Sequence, residues 1–419
     1  MTTTFDVIVL GTGSAAQNVA YTCRASGWSV AVIDSRPFGG TCQLRGCDPK
    51  KVLVGVAELV DWSRRMQGQG VSVPGLSLNW PDLIRFKRTF TDPVPEGTER
   101  SFAEAGITMR HGRAHFIDRT AVQVGDETLV GRHVVIATGA RHAPLGIPGE
   151  EYLTTSTQFM ELDHLPPRIV FVGGGYIAFE FAHIAARAEA RVQVLHRGAR
   201  PLGKFDPDLL AHARTSEQEH TVEADLVVHA AGRVPEIDDL DLDVGGVARE
   251  KEGVSVNAYL QSVSNPAVYA AGDAVASGGF PLTPVAGMQG DTVARNLLEG
   301  NWHTPNYAGI PSVVFTTPPL ARVGLSEAAA RAQGLHFRTH REDTSSWYSS
   351  RRVALPHTGS KVFIEESTDR ILGAHLLGLH AEEVINLFGL AIRAGLRASD
   401  LKTMVYAYPT SVSDIGNML

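Results

Sequence analysis

The chain contains little cysteine, no long hydrophobic run and no excess of positive charge. Its three cysteines are too few for the disulfide framework of a secreted protein, and two of them lie five residues apart, which favours a redox or ligand role. No stretch approaches about 18 uncharged apolar residues, and the first residues lack the basic flank of a signal peptide. We therefore expect a cytoplasmic protein with no membrane association.

A formal net charge of -7 gives no electrostatic footprint for nucleic acid or for an anionic membrane. Small molecules are the expected partners. At 419 residues, with 43% hydrophobic and 20% charged residues, the chain has ordinary globular composition and is long for one hydrophobic core. Two or three domains are predicted.

Glycine-rich loops follow predicted buried strands at two places. The strand Phe5 to Leu10 leads into Gly11-Thr12-Gly13-Ser14-Ala15-Ala16, and a second strand closes on Asp34. In a dinucleotide-binding unit, Gly11 allows the tight turn, Gly13 lets a pyrophosphate approach the helix N-terminus, and Asp34 accepts from a ribose hydroxyl. A purely structural glycine turn is the alternative, but the repeat of the pattern favours nucleotide binding.

The repeat begins with the strand Ile169 to Val172 and continues as Gly173-Gly174-Gly175-Tyr176-Ile177-Ala178. No acid closes its second strand, which is followed by His196-Arg197-Gly198-Ala199-Arg200. Positive charge at this position suits the 2′-phosphate of NADPH, whereas a carboxylate favours NADH. NADPH is therefore predicted, with a solvated basic turn as the alternative.

The second unit is too short. A helix start at Phe205 to Leu210 is separated by only Ala211 to Ala224 from a predicted buried strand, Asp225 to Ala230. A doubly wound domain normally contains a helix, a parallel strand and a small antiparallel segment at this place, so roughly 30 residues are missing. We predict that a segment is absent near Leu210 to His212.

Cys42 and Cys47 lie in the sequence Gly40-Thr41-Cys42-Gln43-Leu44-Arg45-Gly46-Cys47-Asp48-Pro49-Lys50. In a regular helix this spacing puts the two Cα atoms about 7.5 Å apart along the axis, so a disulfide requires an irregular turn, for which Gly46 and Pro49 provide the means. Lys50 and a following helix N-terminus are expected to lower a nearby thiol pKa. Two unpaired thiols are the alternative, and Cys23 is predicted to be a packed core thiol.

These motifs, with Ala137-Thr138-Gly139, Gly232-Arg233 and Ala271-Gly272-Asp273, resemble the family of glutathione reductase, dihydrolipoyl dehydrogenase and mercuric reductase, the pyridine nucleotide-disulfide oxidoreductases. The resemblance covers nearly the whole chain. It implies an α/β fold with two doubly wound dinucleotide-binding domains and an α+β C-terminal dimerisation domain. The expected domains are an FAD-binding domain at 1–149 and 259–307, an NAD(P)-binding domain at 150–258 and a dimerisation domain at 308–419, which implies a homodimer.

The resemblance also implies roles for single residues. Cys42 is the thiol that exchanges with substrate and Cys47 faces the flavin, while Lys50 and Glu180 form an ion pair beside flavin N5. Tyr176 gates the nicotinamide pocket, and Asp273 binds the ribityl side of FAD. The implied cofactor-binding residues are Gly11, Gly13, Asp34, Gly40, Thr41, Ala114, Thr138, Gly139, Gly173, Gly175, Tyr176, Ile177, His196, Arg197, Arg200, Gly232, Gly272 and Asp273.

The departures from the family concern the electron acceptor. The family's catalytic His-Pro-Thr is Tyr408-Pro409-Thr410 here, and the glutamate that steadies the histidine is replaced by Ser413, next to Asp414. Tyrosine ordinarily titrates about 3.5 units above histidine, a cost of nearly 5 kcal/mol for a base at neutral pH. Tyr408 is still the expected catalytic residue at this position.

Other departures remove support for two known acceptors. Tyr21 and Thr22 replace the arginine expected for glutathione disulfide, and the tail Asn417-Met418-Leu419 lacks the thiols of a mercury relay. His336 and His340 indicate a strand start rather than a metal site, so no metal is expected.

The sequence therefore predicts an enzyme that passes electrons from NADPH to FAD, then to Cys47 and Cys42, and on to a disulfide, a metal ion or a quinone. A flavin-binding thiol redox sensor with little turnover is the alternative.

Overall fold

The computed structural model describes residues 2–210, 222–278 and 280–419. Its strands, in chain order, are β1 Thr2–Leu10, β2 Val30–Asp34, β3 Thr108–His111, β4 Ala114–Phe116, β5 Ala121–Val124, β6 Glu127–Ile136, β7 Ala140–His142, β8 Thr154–Thr155, β9 Arg168–Val172, β10 Arg191–Leu195, β11 Leu226–His229, β12 Arg233–Pro235, β13 Arg249–Glu250, β14 Gly253–Val254, β15 Val268–Ala270, β16 Ser312–Val314, β17 Leu320–Gly324, β18 Phe337–Asp343, β19 Gly359–Glu365 and β20 Ile371–Leu377.

The helices are α1 Ser14–Ala25, α2 Gly40–Arg45, α3 Cys47–Arg65, α4 Trp80–Thr91, α5 Val94–Glu104, α6 Ser156–Phe159, α7 Tyr176–Arg187, α8 Thr283–Glu299, α9 Glu327–Ala332, α10 Tyr348–Arg351, α11 Ala381–Ala394 and α12 Ala398–Thr403. Short 3-10 helices cover Glu150–Tyr152, Pro207–Leu210, Gly272–Ala274 and Ser411–Asn417. Within the described ranges, none of these helices has the length and apolar content that crossing a membrane requires.

The residues group into two compact units. The first unit comprises Met1–Lys50, Ile84–Glu150 and Gly232–Tyr307. Its main sheet has the order β3-β2-β1-β6-β5-β4, with β15 also pairing with β6. Strands β3, β2, β1, β6 and β15 run parallel, and Val7–Leu10 of β1 is almost completely buried, as expected for a strand covered on both faces. The predicted first βαβ unit is therefore present.

The packing places residues 232–258 in the first unit, whereas the expected NAD(P)-binding domain runs to residue 258. Strand β12 pairs antiparallel with β7, and Ile237, Leu240 and Leu242 are buried in the first-unit core. Apolar burial, which the local pattern of this stretch does not reveal, accounts for the difference.

The second unit comprises Lys51–Leu83, Glu151–Ala231 and Ala308–Leu419. It contains a parallel sheet of order β10-β9-β11-β8 and an antiparallel sheet of order β16-β17-β20-β19-β18, with α11 packed against the latter. Strand β9, helix α7 and strand β10 reproduce the predicted second βαβ unit. The C-terminal helix predicted at Glu382 to Leu396 is α11, and β18 confirms the strand predicted beside His336.

The helix start predicted at Phe205 to Leu210 is a 3-10 helix in the described residues, Pro207–Leu210, and the residues that follow it lie outside the described ranges. The Asp206 carboxylate accepts from the Asp208 amide at 3.0 Å, and both acids bind Lys361. The place where we predict a missing segment, near Leu210 to His212, lies outside the described residues beyond Leu210. Strand β10 pairs only with β9 among the described strands, and Leu195 at its end is 44% exposed.

Candidate active site

The first glycine loop joins β1 to α1 and leaves no space for side chains. Gly11 has a φ of +112°, and a Cβ on it would lie 2.3 Å from the Ala137 carbonyl oxygen. Gly40 has a φ of +75°, and its Cβ would lie 2.4 Å from the Gly13 Cα. Helix α1 begins after Gly13 with no side-chain cap, so its first N–H groups are available to an anionic group.

Asp34 ends β2 beside this loop, with its carboxylate fixed on both oxygens. Thr12 Oγ1 donates to Oδ2 at 2.7 Å, and the Arg36 amide donates to Oδ1 at 3.0 Å. The Arg36 guanidinium also forms an ion pair with Glu236. A carboxylate held in this way retains acceptor capacity toward a ribose hydroxyl.

One cleft in the first unit brings together most of the predicted FAD-binding residues with the thiols. Its lining includes Gly11, Gly13, Asp34, Gly40, Thr41, Cys42, Cys47, Ala114, Thr138, Gly139, Gly272 and Asp273. Lys50 and Gly232 do not line it. Gly232 is adjacent to Arg233, which does, and the Gly232 carbonyl accepts from the Ala143 amide at 3.1 Å.

The polar groups of this cleft fit FAD. Thr138 Oγ1 is buried and has no hydrogen-bond partner among the described residues. Burial raises the pKa of Asp273, although Arg233 lies 3.6 Å away. An uncapped helix N-terminus, an unpartnered hydroxyl and a fixed carboxylate are the features that a dinucleotide with polar sugar and pyrophosphate groups would satisfy.

The thiol pair lies at a break between two helices. Cys42 belongs to α2 and Cys47 begins α3, with Gly46 between them, where a Cβ would lie 2.8 Å from the Thr41 carbonyl oxygen. The irregular turn predicted at Gly46 is present. Pro49 does not contribute to it, because it lies in the first turn of α3, where a missing N–H breaks no helical hydrogen bond.

The two thiols are not bonded to each other and have different surroundings. A hydrogen bond from Cys42, contact with Thr283 and the charge of Lys50 lower the pKa of Cys47 to about 6. The same hydrogen bond and burial raise the pKa of Cys42. Cys47 Sγ lies 3.4 Å from Oγ1 of Thr283, the first residue of α8, so the start of a second helix also favours a thiolate there.

Two further observations concern Asp48, which lies beside Cys42, and the third cysteine, Cys23. Cys42 Sγ donates to Asp48 Oδ1 at 3.7 Å. Cys23 is fully buried, as predicted, and burial raises its pKa to about 12. Asp48 and Thr283 were not predicted as site residues. Asp48 stands within the cysteine motif, whereas Thr283 lies 236 residues from Cys47 and has no local sequence signal.

The second glycine loop, in the second unit, has the same form as the first. Gly173 has a φ of +130°, a Cβ on it would lie 2.0 Å from the Ala230 carbonyl oxygen, and Gly175 precedes α7 without a side-chain cap. Ile177 is in the first turn of α7. This loop therefore has the geometry that a pyrophosphate site requires.

The basic turn after β10 is exposed. His196 Nε2 lies 3.0 Å from the Arg200 carbonyl oxygen, and the His196 ring fills the space beside Gly174. Arg197 is exposed, and Arg200 donates to the Gly203 carbonyl at 3.1 Å. The structure brings this turn to the glycine loop, and its contact with a 2′-phosphate stays a prediction.

Side chains on α7 hold the second unit's chain segment at 312–317. The Tyr176 hydroxyl hydrogen-bonds Ser312 and Arg322, and its ring centroid lies 5.6 Å from that of Phe205. Glu180, 7% exposed, accepts from the Phe315 amide at 2.9 Å. Glu180 belongs to the second unit and Lys50 to the first, so their predicted ion pair stays a prediction.

Tyr408 is 81% exposed and lines a cavity of about 610 Å³ in the C-terminal part of the second unit. Thr410 caps the 3-10 helix, because its hydroxyl accepts from the Ser413 amide and the Ser413 hydroxyl accepts from the Thr410 amide, while Asp414 accepts from Ser349. Neither Ser413 nor Asp414 hydrogen-bonds Tyr408, so the arrangement differs from that of a histidine steadied by a carboxylate. No cluster of three or more His, Cys, Asp or Glu side chains suited to a metal occurs among the described residues.

Comparison with known proteins covers almost the whole chain. Residues 5–216 and 210–290 match the family model for pyridine nucleotide-disulphide oxidoreductase, and residues 310–419 match the dimerisation domain of that family. A glutathione reductase of Nostoc sp. is 30% identical over 471 aligned positions, which cover 100% of both chains.

The chain is also similar to a protein of a mercuric resistance operon and to a solved flavoprotein structure. An uncharacterised 19.7 kDa protein of a Staphylococcus aureus mercuric resistance operon is 48% identical over 180 residues, 43% of this chain and 100% of its own. The Cu(II) complex of RclA, an HOCl-induced flavoprotein disulfide reductase of Escherichia coli, superposes with a TM-score of 0.88 at 26% identity and covers 99% of each chain.

Proposed function

Because the chain belongs to the pyridine nucleotide-disulphide oxidoreductase family, whose members use FAD and NAD(P)H, we propose that it transfers electrons from NADPH through Cys47 and Cys42 to a small acceptor. The observation that carries this proposal is the pair of unbonded, unequal thiols lining the same cleft as the glycine loop, Asp34 and Asp273. A reducing cytoplasm is the compartment that suits a cycling pair.

FAD, when bound, supplies the step that converts a hydride from the nicotinamide into two electrons for the thiol pair. The chain's own residues would hold it: the α1 N-terminus would bind the pyrophosphate, Asp34 the ribose, and Thr138 and Asp273 the remaining polar groups. By the family resemblance, Lys50 and Glu180 would lie beside the flavin and Tyr176 would cover the nicotinamide side.

NADPH is the proposed donor because Arg197 and Arg200 follow β10 with no carboxylate between them. A homodimer is proposed because residues 310–419 match a dimerisation domain. In that dimer, the exposed Tyr408 of one subunit would reach the Cys42 side of its partner's thiol pair.

The leading acceptor is a disulfide. Cys42 Sγ gives up its proton as it bonds to one acceptor sulfur, and the departing acceptor sulfur takes that proton as the acceptor S–S bond breaks. The Cys47 thiolate then attacks Cys42 Sγ, which restores the Cys42–Cys47 disulfide and releases the second acceptor sulfur as a thiolate that takes one proton from solvent. Overall, NADPH, one proton and RSSR give NADP⁺ and two RSH.

A metal cation is the second candidate acceptor. The similar Escherichia coli reductase was solved as a Cu(II) complex, and here a thiol whose pKa is lowered to about 6 stands next to an exposed carboxylate. A quinone acceptor and a sensor with little turnover are the other outcomes that an assay would distinguish.

The test is steady-state NADPH consumption by the purified yellow protein across a panel of disulfides, metal ions and quinones. Sustained turnover that Cys42→Ser and Cys47→Ser abolish, while Cys23→Ala preserves it, supports the proposal. A single reduction event followed by no turnover indicates the sensor. A protein that does not bind FAD contradicts both.

A further inference from the structure

A carboxylate stands beside the thiol proposed to exchange with the acceptor. Asp48 Oδ1 accepts from Cys42 Sγ at 3.7 Å, and the Asp48 side chain is exposed to solvent. Cys42 itself is half-buried. An acceptor that approaches Cys42 from solvent therefore meets this negative charge.

The backbone fixes Asp48 in this position. It is the second residue of α3, directly after Cys47, and the helix N-terminus stabilises an ionised acid there. The break at Gly46, which admits no side chain, sets the distance between α2, which holds Cys42, and α3. The carboxylate is thus a fixed part of the cysteine loop and not a freely placed surface charge.

The basic side chains of the cysteine loop are less exposed than Asp48. Lys50 is only 9% exposed, and its charge acts on Cys47, whereas Asp48 is exposed and acts on Cys42 as well. Arg45 is half-buried and interacts with Asp34 and Glu236. The exposed charge beside Cys42 in this loop is therefore negative.

We propose that Asp48 is a specificity-determining residue that makes this site favour positively charged acceptors and disfavour anionic disulfides. The inference rests on the proposed function, in which Cys42 exchanges with the acceptor. Asp48 acts through its charge, which attracts cationic acceptors and repels anionic disulfides.

The test compares three symmetrical disulfides that differ in charge: cystamine, bis(2-hydroxyethyl) disulfide and dithiodiglycolate. Each is reduced by NADPH and the FAD-loaded enzyme at low ionic strength, as wild type and as Asp48→Asn, Asp48→Lys and Asp126→Asn. Asp126 is an exposed acid in the first unit, in the turn between β5 and β6, and its substitution changes the net charge equally. Because the same acceptors are compared across variants, their intrinsic reactivities cancel.

The quantity compared is the ratio of kcat/KM for cystamine to kcat/KM for dithiodiglycolate. This ratio should be about tenfold higher in the wild type and in Asp126→Asn than in Asp48→Asn. Asp48→Lys reverses the preference. Salt at about 1 M, where the Debye length is about 3 Å, removes most of the difference between wild type and Asp48→Asn. The neutral disulfide changes least among the variants.

A charge preference that is the same in wild type and Asp48→Asn, or one that salt does not reduce, overturns the proposal for Asp48. If Cys42→Ser still abolishes turnover in that case, the proposed function stands. Failure of the wild type to reduce any of the three disulfides overturns the disulfide function instead. Asp48→Glu keeps the negative charge and should keep the preference for cystamine. It therefore controls for a loss of preference caused by misfolding of the other Asp48 variants.

Discussion

At the scale of single residues, the thiol pair makes a pH prediction. Cys47, with its pKa lowered to about 6, is a thiolate above that pH, and the reactive form is lost as the pH falls through 6. Alkylation of Cys47 in the NADPH-reduced protein should therefore show a midpoint near pH 6. Lys50→Met removes one of the causes of the lowered pKa and should move the midpoint upward.

Peptide mass spectrometry after brief treatment with iodoacetamide measures this directly. Cys23 is the internal control, since it is buried and its pKa is raised to about 12, so it should remain unmodified at all these pH values. A midpoint above pH 8 for Cys47, close to that of an ordinary thiol, would show that its surroundings do not stabilise the thiolate.

Tyr408 gives the second residue-scale prediction. If disulfide exchange is the physiological step, Tyr408→His should raise turnover with small disulfides by about tenfold or more and bring the pH optimum nearer neutrality, because imidazole is a far better base there than a phenol. Flavin reduction by NADPH should not change. For a metal or quinone acceptor, Tyr408→Phe should lower the rate and Tyr408→His should bring no gain. No effect of either variant would make Tyr408 a packing residue.

Most of the residues that the motifs predict for FAD line the first-unit cleft, because several of them, such as Gly11, Asp34 and Gly272, lie at strand ends that a parallel sheet brings to one edge. Thr283 was not predictable, because it lies 236 positions from Cys47 in the sequence and only the tertiary fold brings the two side chains together. Asp48 was visible in the motif, but its contact with Cys42 depends on the turn at Gly46. The cofactor contacts, the NADPH preference and the Lys50–Glu180 pair stay predictions.

At the scale of elements, the break between α2 and α3 should be intolerant of a side chain. Gly46→Ala places a Cβ 2.8 Å from the Thr41 carbonyl oxygen, a backbone atom, so the free energy of unfolding should fall by about 1–3 kcal/mol. Gly55→Ala is the matched control in the interior of α3, where a Cβ meets nothing within 4 Å. It should stabilise by about 0.5–1 kcal/mol. Urea unfolding of the FAD-loaded variants measures both, and equal stabilities would contradict the contact.

The turn after β10 provides the other prediction at this scale. Replacing both Arg197 and Arg200 with alanine should raise the KM for NADPH by about ten- to a hundredfold and leave the KM for NADH little changed, because only NADPH carries the 2′-phosphate that the two arginines are proposed to contact. Arg191→Ala, an exposed arginine on β10, controls for the charge. Equal losses with both donors would mean that the turn is merely structural.

Element types were predictable from periodicity where a segment is long and apolar, as in β1, β9 and α11. At Phe205 to Leu210, where a helix start is predicted, the described residues form a 3-10 helix. The ion pairs of Asp206 and Asp208 with Lys361, which is more than 150 residues away, have no local sequence signal.

At the scale of the whole molecule, the expected dimer is testable through the exposed C-terminal segment. The purified FAD-loaded protein should have a molar mass near twice 45.0 kDa by light scattering. Dilution should lower disulfide turnover in step with the loss of dimer, since Tyr408 would be supplied by the other subunit. Full acceptor turnover by a stable monomer would remove the reason for placing the acceptor site at a subunit interface.

The last prediction concerns chain length. The glutathione reductase of Nostoc sp. aligns over 471 positions, 52 more than the 419 residues here, and β10 ends the parallel sheet among the described residues with Leu195 exposed. A doubly wound domain that loses a parallel strand exposes buried apolar edges. We expect the natural protein to carry an additional segment near Leu210 to His212. Intact mass spectrometry of the protein from its native source should then give a mass several kilodaltons above 45.0 kDa. A mass equal to 45.0 kDa would refute the insertion, and the nucleotide-binding domain would then be complete with β10 as its edge strand.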